Sequence, residues 1–353
     1  MIERVLALRK FFAGQGLAAV VVAKPENRRY FSGFTGSSGL LLVSGESAKL
    51  LTDFRYIEQA GREALGFDIV RHGSDPYETL AAEMKDLAGE KVGFESDFAT
   101  WDDYQKMNEI CVRLVPVHLD PLRTAKDEAE LAALRMAVCL ADNAFSHILP
   151  FIKPGVSERA IALELEYNMQ KNGAEKSAFD IIVASGPRSA LPHGRASDKR
   201  LAAGELVTMD FGAVFAGYHS DITRTVVLGK ASPRQREIYD IVRAAQQAGL
   251  AAVTAGALCR DVDAAARKVI ADAGLGDYFG HGLGHGVGLA VHEEPRLGPA
   301  SDTVLVPGMT VTVEPGVYLP DWGGVRIEDT VVVTAGGPLV LTGSTKELIE
   351  IDF

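Results

Sequence analysis

Four carboxylates interrupt two stretches that otherwise read as buried β-hairpins, and any fold of this chain must accommodate them. In VTVEPGVYLPDWGGVRIEDTVVV, Glu314 and Glu328 are symmetric about position 321, inside the turn-rich Pro320-Asp321-Trp322-Gly323-Gly324. Val, Ile and Thr flank both acids, which predicts strands. In VTMDFGAVFAGYHSDITRTVVL, Asp210 and Asp221 are symmetric about 215.5, inside a turn expected at Val214 to Gly217. That centre predicts two aspartates directly opposite each other on one face, with Cβ atoms roughly 4.5–5.5 Å apart. Taken alone, this pair reads as two solvated acids on a hairpin edge. Two such hairpins weaken that reading, because buried charges are normally paired or bound to metal. Arg326 is one cation against four acids.

Histidines supply the remaining donor type. Gly280-His281-Gly282-Leu283-Gly284-His285 is followed by Gly286 and by His292-Glu293, while His193 stands apart in Ala190-Leu191-Pro192-His193-Gly194. Glycine or proline beside His193, His281 and His285 lets backbone approach a ligand closely. One imidazole from this set plus four carboxylates suits two divalent ions such as Mn²⁺, Co²⁺ or Zn²⁺. His72, His118, His147 and His219 have weaker context and are expected in packing or surface roles. The glycines of 280–288 alternate and lack the Gly-x-Gly-x-x-Gly spacing, so they do not read as a nucleotide loop. A Gly-x-Ser-x-Gly elbow is also absent, which leaves a serine hydrolase without support.

The rest of the chain sets bounds. It has 353 residues, a net charge of −11 and 47% hydrophobic residues, which fits a globular protein and argues against a nucleic-acid binder. Three scattered cysteines, Cys111, Cys139 and Cys259, predict buried small hydrophobes rather than disulfides or a thiolate metal site. The first residues offer no signal-peptide core, and no apolar run is long enough to span a bilayer, so a cytoplasmic location is expected. Residues 1–121 alternate strand-like and helix-like segments, which predicts an α/β domain. Residues 122–353 read as a larger α+β domain. It opens with a helix capped by Thr124 with Asp127 three residues later, followed by helices over 157–172, 233–253 and 261–273.

MDFG with Asp210, SDITRT with Asp221, HGLGHGVGL with His285, TVEPG with Glu314 and VRIED with Glu328 together resemble the five-ligand signature of the pita-bread metallopeptidases. Pro121-Leu122-Arg123 through Leu134 resembles that family's entry into its catalytic domain. YFSGFTGSSG (Tyr30 to Gly39) and TDFRY (Thr52 to Tyr56) resemble the amino-terminal domain of its proline-specific branch, aminopeptidase P and prolidase. The resemblance implies an α+β pita-bread catalytic domain behind a smaller α/β domain, and two divalent ions, manganese first. Asp210 would hold one ion, His285 and Glu314 the other, with Asp221 and Glu328 bridging. His193, His281 and His292 would contact substrate or move protons, Arg326 would sit beside the site, and Glu314 would accept a proton. Phe179 and Tyr318 read as core packing rather than pocket wall. The implied activity is hydrolysis of the Xaa-Pro bond at the start of proline-containing peptides by a hydroxide bridging the ions, an Xaa-Pro aminopeptidase, with Xaa-Pro dipeptidase as the alternative. Methionine aminopeptidases share the metal site but usually lack the amino-terminal domain. A non-enzymatic peptide-binding scaffold is the remote reading, and a homodimer is implied.

Overall fold

The computed structural model describes residues 2–110 and 112–353. The chain divides into two compact units, Met1–Arg123 and Thr124–Phe353. The amino-terminal unit is built on a six-stranded mixed sheet. Its order is Asp68–Arg71, Ala48–Thr52, Leu40–Ser44, Ala19–Val22, Lys91–Glu95, Arg113–Val117. Ala19–Val22 is central and wholly buried, as its run of valines requires, pairing antiparallel with one neighbour and parallel with the other. The helix-like segments expected here include Ile2–Gly14 and Trp101–Asn108. One helix, Pro25–Ser32, was not expected from periodicity. Its buried side chains include Asn27, Arg28 and Ser32, so it has no apolar stripe to reveal it. Pro25 in the first turn and Gly33 at φ 78 after the last are the punctuation that marks it.

The carboxy-terminal unit repeats one layer plan twice. Helices Glu128–Ile148 and Glu158–Lys171 pack on a sheet ordered Glu350–Ile351, Ile222–Leu228, Leu206–Phe211, Ile182–Ser185. Helices Pro233–Ala252 and Cys259–Asp272 pack on a sheet ordered Glu293–Leu297, Gly284–Gly286, Thr310–Val313, Asp329–Thr334, Gly337–Val340. The first of these helices is capped by Asp127 with Glu130, not by Thr124 with Asp127. Lys126 N–H is drawn instead to the Gly308 carbonyl, and Ala125 bridges Met309, so the residues before Asp127 are extended. Cys259 is buried as expected, whereas Cys139 is exposed. The face of its helix that carries Cys139 is turned to solvent. Cys111 lies outside the described residues. Among the described residues no helix is long and apolar enough to cross a membrane.

The two acid-bearing hairpins follow different fates. Thr310–Val313 pairs with Asp329–Thr334 and Gly316–Leu319 with Gly323–Arg326 in one register centred on Asp321, which carries Glu314 opposite Glu328 as the sequence predicts. In the other hairpin Asp210 lies opposite Thr223, not Asp221. The reason is the turn. Ala216 and Gly217 adopt φ 48 and 80, the two positive values of a tight two-residue hairpin turn, and this moves the centre one position along. The aspartates become diagonal neighbours on the same face, roughly 7–8 Å apart rather than opposed.

Arg224 ties the two sheets together. Its guanidinium is buried and donates to the carbonyls of Thr223 (2.9 Å), Ser344 (2.8 Å), Thr345 (2.9 Å) and Glu328, and to Asp329 Oδ1 at 2.8 Å. Removing one partner of a buried ion pair costs about 3–5 kcal/mol. Arg224→Met is therefore expected to lower unfolding free energy by about that amount, measured by urea denaturation.

Candidate metal centre

The inner faces of the two sheets meet at a cleft of about 1300 Å³. Its walls include all five acid and imidazole residues of the signature, together with His193, His281, His292 and Arg326. Strand alternation explains the convergence, because side chains two residues apart share a face. Asp210 and Asp221 enter from one hairpin, Glu314 and Glu328 from the other, and His285 from the short strand beside them.

The glycines around His285 are the condition for that short strand. A Cβ on Gly284 would lie 2.0 Å from the Thr312 carbonyl oxygen, and one on Gly286 would lie 2.2 Å from the Glu294 carbonyl oxygen. The alternation noted in the sequence thus serves backbone packing against both neighbouring strands. His285 Nδ1 faces the Gly286 carbonyl at 3.0 Å, so Nδ1 carries the proton and Nε2 keeps its lone pair. That Nε2 lies 3.3 Å from Glu314 Oε1 and 3.6 Å from Asp221 Oδ2. Asp221, His285 and Glu328 offer ligand atoms all within 4.8 Å of one another.

The local charge is badly unbalanced. Burial raises the Asp221 and Glu328 carboxyls well above their usual range, and the neighbouring acids push both further. Burial also lifts Glu314 to about 7, against the pull of Arg326. His285, desolvated, is held neutral with a pKa of about 3. Asp210 Oδ1, Asp221 Oδ1 and Glu328 Oε1 are buried with no hydrogen-bond partner among the described residues. Each unsatisfied buried group costs about 1–3 kcal/mol, and more when charged. Two further oxygens are oriented by neutral donors: Thr223 Oγ1 donates to Glu328 Oε2 at 2.7 Å and Thr312 Oγ1 to Glu314 Oε1 at 3.1 Å. Orphaned anionic oxygens around one neutral imidazole lone pair are a donor set that fits divalent cations.

Arg326 is not a free cation in this cleft. Its donors go to Asp210 Oδ2 (2.6 Å), Tyr318 Oη (2.9 Å), Thr223 Oγ1 (3.0 Å) and the Pro192 carbonyl (3.2 Å). Tyr318 in turn donates to His281 Nε2 at 2.9 Å, while His281 Nδ1 faces the Gly282 carbonyl at 2.8 Å. Both ring nitrogens of His281 are therefore engaged with protein. His193 and His292 are exposed at the cleft, and His292 stacks edge-on against His285 with ring centroids 4.3 Å apart. Tyr318 and Phe179 line the cleft, against the core role expected of them. The signal for Tyr318 was parity, since it shares a strand face with Glu314. Thr223 and Thr312 also escaped notice, each two residues from an acid on its own face. His72, His118, His147 and His219 lie outside the lining, with His147 paired to Glu164 and His219 bonded to the Gly288 carbonyl.

Comparison with known proteins adds the family. Residues 132–335 match metallopeptidase family M24, and residues 4–125 match the creatinase/prolidase N-terminal domain. The chain is 41% identical to the Xaa-Pro dipeptidase of Pyrococcus furiosus, over 99% of this chain and all of that one. The solved Xaa-Pro dipeptidase from Bacillus anthracis superposes with a TM-score of 0.96 at 47% identity, covering 99% of each chain. An X-Pro aminopeptidase from Thermotoga maritima superposes with a TM-score of 0.90 at 36% identity, covering 99% of this chain and all of that one. The chain belongs to metallopeptidase family M24, with its pita-bread fold, and is a metal-dependent peptide hydrolase.

Proposed function

We propose that this hydrolase is an Xaa-Pro dipeptidase. The observation that carries the reading is Arg296. It lines the cleft, is exposed, and pairs across the sheet with His285, so its side chain shares the face of the metal centre. No protein acceptor holds its guanidinium among the described residues. A dipeptide carries its carboxylate one residue beyond the scissile carbonyl, which suits a free cation beside the reacting centre. The likeness to Xaa-Pro dipeptidases over the whole chain supports the same choice. The aminopeptidase reading, which the sequence favoured, keeps the likeness to the Thermotoga maritima structure and the roominess of the cleft in its support.

In this reading Asp210, Asp221, His285, Glu314 and Glu328 would hold two divalent ions, with manganese the first candidate. Such ions supply Lewis acidity at the carbonyl and a nucleophilic water at neutral pH. Glu314 takes the proton of the attacking water and passes it to the departing proline nitrogen. His193 and His292, whose ring nitrogens have no hydrogen-bond partner among the described residues, stabilise the developing oxyanion. Arg326 and Tyr318 hold Asp210 and His281 in place rather than meeting substrate. Proline suits a dedicated site, because its tertiary amide has no N–H and its ring fixes φ.

Two outcomes test this. Chelator-stripped wild type should take up two Mn²⁺ per chain by calorimetry and regain Xaa-Pro hydrolysis, while Asp221→Ala and Glu328→Ala should bind less metal and hydrolyse nothing. Full activity in either variant with metal retained overturns the ligand set. Arg296→Met should lower kcat/KM on an Xaa-Pro dipeptide by about tenfold to a hundredfold, the worth of a charge-assisted hydrogen bond. It should leave the C-terminally amidated dipeptide unchanged. Equal losses on both substrates, or faster wild-type cleavage of tripeptides than of dipeptides, would favour the aminopeptidase.

A further inference from the structure

His193 sits on a loop, not on a strand, so its place depends on what holds that loop. The loop leaves the strand Ile182–Ser185, runs through a turn of 3₁₀ helix at Gly186–Ala190 and reaches Pro192-His193. At its neck lies Glu158, the first residue of the helix Glu158–Lys171, with a fully buried side chain. One oxygen, Oε1, accepts from Ser185 N at 2.8 Å and Ser185 Oγ at 2.9 Å. The other, Oε2, accepts from Ser197 Oγ at 2.6 Å, Ser197 N at 3.2 Å and Arg188 Nη1. Arg188 then donates through Nη2 to the Arg195 carbonyl at 2.9 Å. A single carboxylate thus closes both ends of the segment that carries His193 and reaches within two residues of it through one arginine. At the tip the Pro192 carbonyl is held by Arg326.

We propose that Glu158 is a positioning residue for His193, acting through Ser185, Arg188 and Ser197. The inference rests on the placement of His193 at the chemistry made above. Acid at this point in the helix is not needed as a cap, since Ser157 already caps through its side chain. Nor does the carboxylate reach the cleft lining. Its bonds all go to the neck of the loop and to Arg188. A neutral amide at the position would point an N–H₂ at donors that now meet an oxygen, and the loop would re-settle. Displacement of a reacting group by about an ångström costs up to about a hundredfold in rate.

The test is a double-mutant cycle on holoenzyme with an Xaa-Pro dipeptide, using Glu158→Gln, His193→Ala and the pair. Glu158→Gln is expected to lower kcat about tenfold or more, with KM within about twofold and metal content at the wild-type level. In the His193→Ala background the same change should cost no more than about twofold, since its route is already lost. Equal losses in both backgrounds mean a general structural role and overturn the proposal. So does an impaired His193→Ala beside a fully active Glu158→Gln. Full activity in His193→Ala overturns the placement of His193 itself, and this proposal with it. If Glu158→Gln does not fold, Arg188→Gln runs the same cycle, because it breaks the bridge to the Arg195 carbonyl and leaves the serine bonds.

Discussion

Crowding of four buried or part-buried carboxylates against one guanidinium is the interaction on which the catalytic unit depends. Arg326 satisfies an oxygen of Asp210 and then spends its remaining donors on Tyr318, Thr223 and the Pro192 carbonyl. Through those bonds the charge of one acid fixes the place of a tyrosine, of His281 behind it, and of the loop bearing His193. Glu328 and Glu314 each receive one hydroxyl donor, and one oxygen each of Asp210, Asp221 and Glu328 receives nothing among the described residues. A core that buries anions this way is unfavourable by itself. It becomes reasonable when cations share the site, and this is why the metal-dependent family and the electrostatics of the cleft point the same way.

Much of this was legible because strand alternation is a strict code. The register about Asp321 follows from symmetry of the sequence alone, and it places Glu314 and Glu328 correctly. The register about Val214 to Gly217 was one position out, because Ala216 gives no sign in sequence that it takes positive φ. Parity forgave the error: a shift of the centre by one position moves the partner by two, so Asp210 and Asp221 stayed on one face. The same parity would have moved Tyr318 from the core to the cleft, had it been applied beyond the acids.

Elements that bury polar groups were the ones that stayed hidden. Pro25–Ser32 turns Asn27 and Arg28 inward, where Arg28 donates to the Gly36 and Gly39 carbonyls and Asn27 donates to Glu95, so hydrophobic periodicity has nothing to detect. The misplaced cap at Thr124 has a related cause. A Thr-x-x-Asp spacing and an Asp-x-x-Glu spacing overlap there. Only the pairing of Ala125 with Met309, a contact made across a long stretch of chain, decides between them. Local sequence offers both caps and tertiary structure selects one.

Substrate length is a harder property to read, and the reason lies in where its determinants sit. Metal ligation needs particular side chains in fixed local contexts, so the proposed ligand set falls in five short motifs. Recognition of a free carboxylate needs only one uncommitted cation at the right distance, and any of several arginines in the sequence could supply it. Arg326 looked available until its four bonds were seen, and Arg195 is matched by Asp180 at 3.0 Å. Under the proposed dipeptidase reading Arg296 emerges by subtraction, from the pairing of its strand with that of His285 and from the lack of any acid committed to it among the described residues. Specificity of this kind resides in which charges the fold leaves unspent, and that accounting exists only once every hydrogen bond has been placed.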